Sequence, residues 1–455
     1  MSRLLNRRQW ISNVSGAIAG FSLLPAVLLA DEPQTRLTGT SGYLIDMQSD
    51  GKISIGEEEK KHEIPFSVTC QQEFQERLIL RDDIRLATRK YKVAKLQKRF
   101  GNQESEQVEL STGQSAILAF AENVDSGRME FRTSANKLSE DQWNLLQTPL
   151  SPIWLNQLAE EMLGSKPRLT VGDRIEVSEI LAARLFCIET PDKSSLVCEV
   201  EKANESQAVL KLSGQISGRV LDVDTEFKIN ASLRCVFADA KITQLRASFV
   251  ESRQEGGIHP QFSASTKMKL DLKEEVQEID NGTVRELVAL AQQPAILSYV
   301  SDQNPIQLQH SSQWHLVLDR RGEVTWRMVA SGEALTQCKL LLLATKSEDE
   351  VSLDDWVEVV KTAHQEIDAE IINQETLDGE MGSQIHRVEV RGRENDTDLA
   401  WIHYFVSFPD GTRGELAFTT DKDFVPTLAE TDRLMAQSLT QNDLKIASAN
   451  EKITK

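Results

Sequence analysis

The chain has 455 residues, 40% apolar and 27% charged, with 51 basic against 70 acidic side chains and a formal net charge of −19. These are ordinary globular proportions. A negative field of this size repels phosphate, so nucleic acid is excluded as a partner unless basic residues are concentrated on one face.

In residues 1–30, Arg3, Arg7 and Arg8 precede an uncharged run from Val14 to Leu29 that ends at Ala30. A basic stretch, a short apolar core and a small terminal residue make an export signal cleaved after Ala30. Ser15, Gly16, Gly20, Ser22 and Pro25 interrupt the core, which falls short of the ~20 apolar residues a spanning helix needs. The run Asn6-Arg7-Arg8-Gln9-Trp10-Ile11 resembles the twin-arginine export motif, and an ordinary secretion signal that carries two arginines is the alternative. Cleavage leaves 48 basic and 70 acidic side chains, net −22. The product is expected in the periplasm, the wider envelope or the medium, and not to span a membrane.

Residues 31–272 read as a β-rich antiparallel domain with a helical insertion. Strands are expected at 37–46, 64–80, 117–121 and 129–133. Asp46, Gln48, Asp50, Gly51 and Glu57 follow the spacing of a calcium-binding loop, with oxygen ligands at alternate positions and a closing glutamate. The flanks lack paired helices, and the competing reading is a hairpin about Asp50-Gly51. Calcium is the only cofactor the sequence suggests. Next comes a basic stretch carrying Arg81, Arg85, Arg89, Lys90, Lys92, Lys95, Lys98 and Arg99, interleaved with Tyr91, Val93, Leu96 and Phe100. It reads either as an anion-binding patch for a glycan, a lipid headgroup or an acidic partner, or as a solvent-facing strand or helix.

Ser139 and Gln142 form a capping box, Ser151-Pro152 opens a second helix that stops at Gly164, and Ser178 starts a third. Strands at 195–201, 206–213, 225–238, 241–251 and 260–271 with short connections favour an antiparallel meander. Phe227, Ile229, Ala231, Leu233 and Cys235 alternate with Lys228, Asn230, Ser232 and Arg234, so Cys235 points into the core. The same phase turns Cys70, Cys198 and Cys338 inward as small hydrophobes, with a Cys198–Cys235 bridge as the alternative.

Residues 273–296 read as a linker with a short helix, 297–442 as a second domain of mixed strands and helices, and 443–455 as a polar tail. Ser352 and Asp355 cap a helix with an apolar stripe of Leu353, Trp356, Val357, Val360, Ala363 and Ile367. His364 lies on that stripe as a packed residue. The strand 399–408 is apolar on both parities and should be central. His386 and His403 lie on strands joined near Asn395-Asp396 and can face each other, but two ligands are too few for zinc.

The order Trp314, Cys338, the capped helix at 352, Trp401-Ile402-His403-Tyr404, the Asp410-Gly411 turn and a terminal amphipathic helix resembles the PsbP-like α/β sandwich superfamily. That resemblance implies an α/β sandwich and a non-enzymatic extrinsic or assembly role. Around Val171-Gly172-Asp173 and the last long strands, the first domain resembles uncharacterised exported bacterial proteins.

No nucleophile elbow, phosphate-binding loop, dinucleotide glycine pattern, Cys-x-x-Cys pair or His-Glu-x-x-His occurs in the sequence. The leading expectation is an exported, non-catalytic binding or assembly protein whose second domain docks an envelope protein partner. The second is a carrier of an apolar ligand, held between the first domain's sheet and the helices from Ser139 to Cys187. The third is an envelope hydrolase without a recognisable motif.

Overall fold

The computed structural model describes residues 36–442 apart from 56–60, 82–83, 112–113, 121–126, 135–136, 166–168, 257–259, 291–294, 331–332, 344–350 and 429–430. Arg7, Arg8, Ala30, Glu57 and the tail 443–455 lie outside the described residues. The fold is β-rich α+β, and the chain divides into two compact units between Ala295 and Ile296.

The strands of the first unit are β1 (Arg36–Leu37), β2 (Ser41–Ile55), β3 (His62–Arg81), β4 (Ile84–Phe100), β5 (Glu106–Glu109), β6 (Ala116–Phe120), β7 (Glu130–Thr133), β8 (Leu138–Ser139), β9 (Arg174–Glu176), β10 (Thr190–Ser194), β11 (Val197–Ala203), β12 (Gln207–Val220), β13 (Val223–Val236), β14 (Lys241–Arg253) and β15 (Gln261–Lys273). One sheet takes the order β7-β6-β4-β3-β2-β15-β14-β13-β12-β11-β9. β5 pairs with the half of β4 that β6 leaves free. The expected meander is present from β11 to β15, and β2 joins the far side of β15.

Alternation fixes the two faces. In β13, Phe227, Ile229, Ala231, Leu233 and Cys235 are buried while Lys228, Asn230, Ser232 and Arg234 are exposed, because neighbouring side chains on a strand point to opposite sides. The inner face is covered by α1 (Glu140–Leu146), α2 (Pro152–Ser165) and α3 (Glu179–Phe186). Each start is local chemistry: the Ser139–Gln142 capping box opens α1, and Ser178 caps α3. α4 (Asn281–Ala289) packs on the outer face, where Ile279, Val284 and Leu287 meet Ile79, Leu86, Leu118 and Phe120. Residues 279–287 therefore belong to the first unit's core, which corrects the reading of 273–296 as a linker.

The second unit contains β16 (Ile296–Val300), β17 (Ile306–Ser311), β18 (Trp314–Arg320), β19 (Glu323–Ala330), β20 (Glu333–Leu343), α5 (Leu353–Ala363), β21 (Asp368–Asp378), β22 (Gln384–Glu394), β23 (Thr397–Ser407), β24 (Arg413–Asp421), α6 (Val425–Leu428), α7 (Thr431–Gln437) and β25 (Thr440–Gln441). Its main sheet has the order β18-β19-β20-β24-β23-β22-β21. As its two-sided apolar pattern requires, β23 is central. Trp401 and Phe405 meet Trp356, Val357 and Val360 of α5 on one face. Ile402, Tyr404 and Val406 meet Val425, Leu428 and Met435, together with the small sheet of β16, β17 and β25, on the other.

Candidate functional site

The inner face of the β-rich unit is held to its helices by buried polar groups. Arg89 on β4 donates through Nε to Glu76 Oε2 at 2.8 Å and through Nη2 to Ser151 Oγ, just before α2, at 2.6 Å. The two ionised side chains are 0% and 1% exposed. Burial pushes the Glu76 carboxyl up, and the guanidinium opposes that shift. On α2, Asn156 donates to the Tyr43 hydroxyl at 3.1 Å and accepts from the Ile242 amide at 2.9 Å. Gln72 donates to the Leu145 carbonyl of α1. α1 and α2 thus meet the sheet in a fixed register.

Between these anchors the interior is filled. Leu155, Leu158, Ala159, Met162 and Leu185 are 0% exposed and Trp143, Trp154 and Phe186 at most 2%, so these side chains have no surface left for a bound molecule. The space expected between the sheet and the helices from Ser139 to Cys187 is closed along them.

Further along the same strands the helices stop covering the sheet. Ile53, Ile64, Phe66, Val68, Phe100 and Phe262 lie on the inner face and are half-buried. Phe66 stands over Gly51, where a Cβ would meet its ring at 2.8 Å. It has Phe100 and Phe262 at 6.2 Å, and Arg253 caps Phe262 at 4.9 Å. This is a contiguous apolar strip, partly open to water.

Two sequence expectations are corrected on these strands. Asp46, Gln48 and Asp50 project from the outer face of β2, which stays paired with β3 and β15 through residues 46–54. A calcium loop has to turn its ligands inward, and neither that loop nor a hairpin at Asp50-Gly51 forms. Among the described residues no group of three His, Cys, Asp or Glu converges on a metal position. The expected single basic patch is divided between faces. Arg85, Arg89 and Lys98 point inward onto Glu160, Glu76 and Asp141. Lys90, Lys92, Lys95 and Arg99 are exposed, and Lys92 pairs with Glu73 at 3.3 Å.

All five cysteines are free, so Cys198 and Cys235 form no bridge. Burial pushes the Cys70, Cys187 and Cys198 thiols up to about 12 and Cys235 up to about 11, which keeps them protonated and unreactive at neutral pH.

In the α/β unit His403 does not face His386; the register pairs His386 with Phe405 and His403 with Val388. His386 donates through Nε2 to the Val351 carbonyl at 2.9 Å. His364, the residue after α5, brings its Nε2 to 2.9 Å from His403 Nε2, and His403 donates through Nδ1 to Glu415 Oε1 at 3.1 Å. The two rings have centroids 5.1 Å apart, so the nitrogens meet head-on and share one proton. Two ring nitrogens are too few to hold a metal ion, and among the described residues no third ligand converges on the pair, so the contact is a hydrogen bond. Nothing in the spacing of 364 and 403 announces it.

Burial and the neighbouring His403 lower the His364 pKa to about 4. Between about pH 6.5 and 4 the unfolded chain therefore binds a proton that the folded chain excludes, and stability falls as pH falls through that window. Urea midpoints of the α/β unit are expected to decline on acidification across it. His364→Gln should flatten the decline, and an unchanged slope in that variant would refute the shared proton.

No protein-family model matches the chain, and no curated protein matches it. Among solved structures it is similar to cyanobacterial PsbP (CyanoP) from Synechocystis sp. PCC 6803, at 17% identity over 32% of this chain and 92% of that chain with a TM-score of 0.26. It is similar to PA94 of Pseudomonas aeruginosa, a protein of unknown function described as a putative regulator, at 12% identity over 30% and 88% with a TM-score of 0.21. It is also similar to lipovitellin, at 9% identity over 53% of this chain and 26% of that one with a TM-score of 0.26. The PsbP likeness is one of fold alone.

Proposed function

We propose that the protein is an exported, non-catalytic binding protein of the cell envelope that docks a protein partner, and that the β-rich unit supplies the docking surface. The observation that carries this reading is the apolar strip of Ile53, Ile64, Phe66, Val68, Phe100 and Phe262 at the uncovered end of the inner face. Contiguous apolar surface with a polar rim favours association, and clustered aromatic side chains supply most of the energy at such contacts. The same strip suits an apolar small molecule, which keeps the carrier reading as the alternative, now at the open end of the sheet.

A photo-reactive phenylalanine analogue in place of Phe66, irradiated in the native host, separates the two. Adducts of protein size support docking and adducts of lipid size support the carrier. With neither, and with Phe66→Ser leaving the binding of an apolar fluorescent dye unchanged, both readings fail.

A further inference from the structure

The outer face of the same strands has the opposite chemistry. Strand register sets Lys267, Gln48, Thr69, Gln97 and Gln107 in one row across β15, β2, β3, β4 and β5. A second row beside it holds Lys269, Asp46, Gln71, Lys95 and Glu109. All ten side chains are exposed, and nine of them line a groove of about 550 Å³. Four strand spacings make the groove about 19 Å long.

We propose that this groove binds an anionic oligosaccharide laid across the strands. Charge gives the sign of the ligand. Three lysines face two carboxylates in a protein of net charge −19. Lys95 and Lys267 make no side-chain hydrogen bond or ion pair among the described residues. An unpaired lysine is free to meet a ligand's carboxylate, sulfate or phosphate.

The neutral side chains give the class. Gln48, Gln71, Gln97 and Gln107 each carry two donors and an acceptor, and Thr69 adds a hydroxyl, a surface that matches a chain of sugar hydroxyls. The apolar neighbours Met47, Cys70 and Leu96 turn their side chains to the inner face. The groove thus lacks the apolar or aromatic anchor of a protein interface and the stacking rings of a single-stranded nucleic-acid site. A lipid headgroup needs only a point of positive charge, not a 19 Å amide-lined track. The proposal does not depend on the apolar strip, which lies on the other face.

The test is calorimetry of the full mature chain with an oligogalacturonate hexamer, the neutral hexamer of the same linkage, and phosphatidylglycerol vesicles. The expected result is saturable binding of the acidic hexamer that weakens with salt and falls tenfold or more in Lys95→Glu with Lys267→Glu. Gln97→Ala should lower it further, and Lys52→Glu, an exposed lysine outside the groove, should leave it unchanged. Because the substituted side chains are exposed, circular dichroism and unfolding midpoints should be unaltered. Three results would overturn the proposal: no heat with the acidic hexamer at millimolar concentration, equal affinity for the neutral one, or vesicle binding that the lysine variants abolish while the hexamer stays unbound.

Discussion

Arg89→Met is expected to destabilise the β-rich unit by about 3–5 kcal/mol, the range for removing one member of a buried ion pair. The guanidinium is fully buried, and its loss leaves the Glu76 carboxylate without its ion-pair partner and shut off from water. Glu76 Oε1 already has no partner, so it cannot turn to another donor. The loss also removes the donor to Ser151 and the cation above the Phe74 ring at 4.9 Å. Glu76→Leu combined with Arg89→Met should recover most of the stability, because neither charge then has to be desolvated. Burial raises the Glu76 pKa, so the single variant should also lose less in acid, where the carboxyl is neutral. Hydrogen exchange of β3 and β4 along a urea series reads these differences within the unit. A double variant as unstable as the single one would show that packing, not charge, sets the cost.

How far the sequence announces these features depends on how far each one is local. The strand phase of 225–238 and the two-sided apolar strand 399–408 are read correctly, because burial on one face or both imposes its own period. The calcium-like spacing of Asp46, Gln48 and Asp50 is the same period in disguise: alternate oxygens on the exposed face of a strand whose inner face carries Met47, Gly51 and Ile53. The basic stretch resists reading because β4 is bulged. Tyr91 pairs with Phe74 and Val93 with Glu73, leaving Lys92 as the extra residue. The inward set therefore runs Arg85, Ala87, Arg89, Tyr91 and then Ala94, Leu96, Lys98, Phe100, and no single parity fits both halves.

The histidine register is legible after the fact. Asn395 and Asp396 both have positive φ, the signature of a two-residue hairpin turn, and that turn fixes His403 opposite Val388. The Arg89–Glu76 pair and the rows of the outer groove depend on which strands adjoin, and a polar side chain carries no local mark of its distant neighbour.

The α/β unit contains a second buried network, in which loss of the cation should cost more than loss of the acid. Arg387 donates to the Tyr404 hydroxyl at 3.0 Å and to Glu389 at 3.2 Å, with Asp432 at 3.8 Å. Tyr404 donates to Asp432 at 2.6 Å, and Asp432 on α7 also accepts from the Arg433 amide. Asp432→Asn keeps an acceptor for Tyr404 and leaves Arg387 with Glu389 and Glu375, so about 1–2 kcal/mol is expected, the scale of one hydrogen bond. Arg387→Met instead leaves Asp432, 0% exposed, without its cation, and about 3–5 kcal/mol is expected. Burial raises the Asp432 pKa, so the folded state takes up a proton there before the unfolded chain does. The deficit of Arg387→Met should therefore shrink on acidification, while that of Asp432→Asn, which cannot take up this proton, should widen. Urea midpoints followed by hydrogen exchange of β22, β23 and α7 test both the order and the pH response. Equal costs for the two variants would mean that Asp432 holds α7 to the sheet through its hydrogen bonds alone.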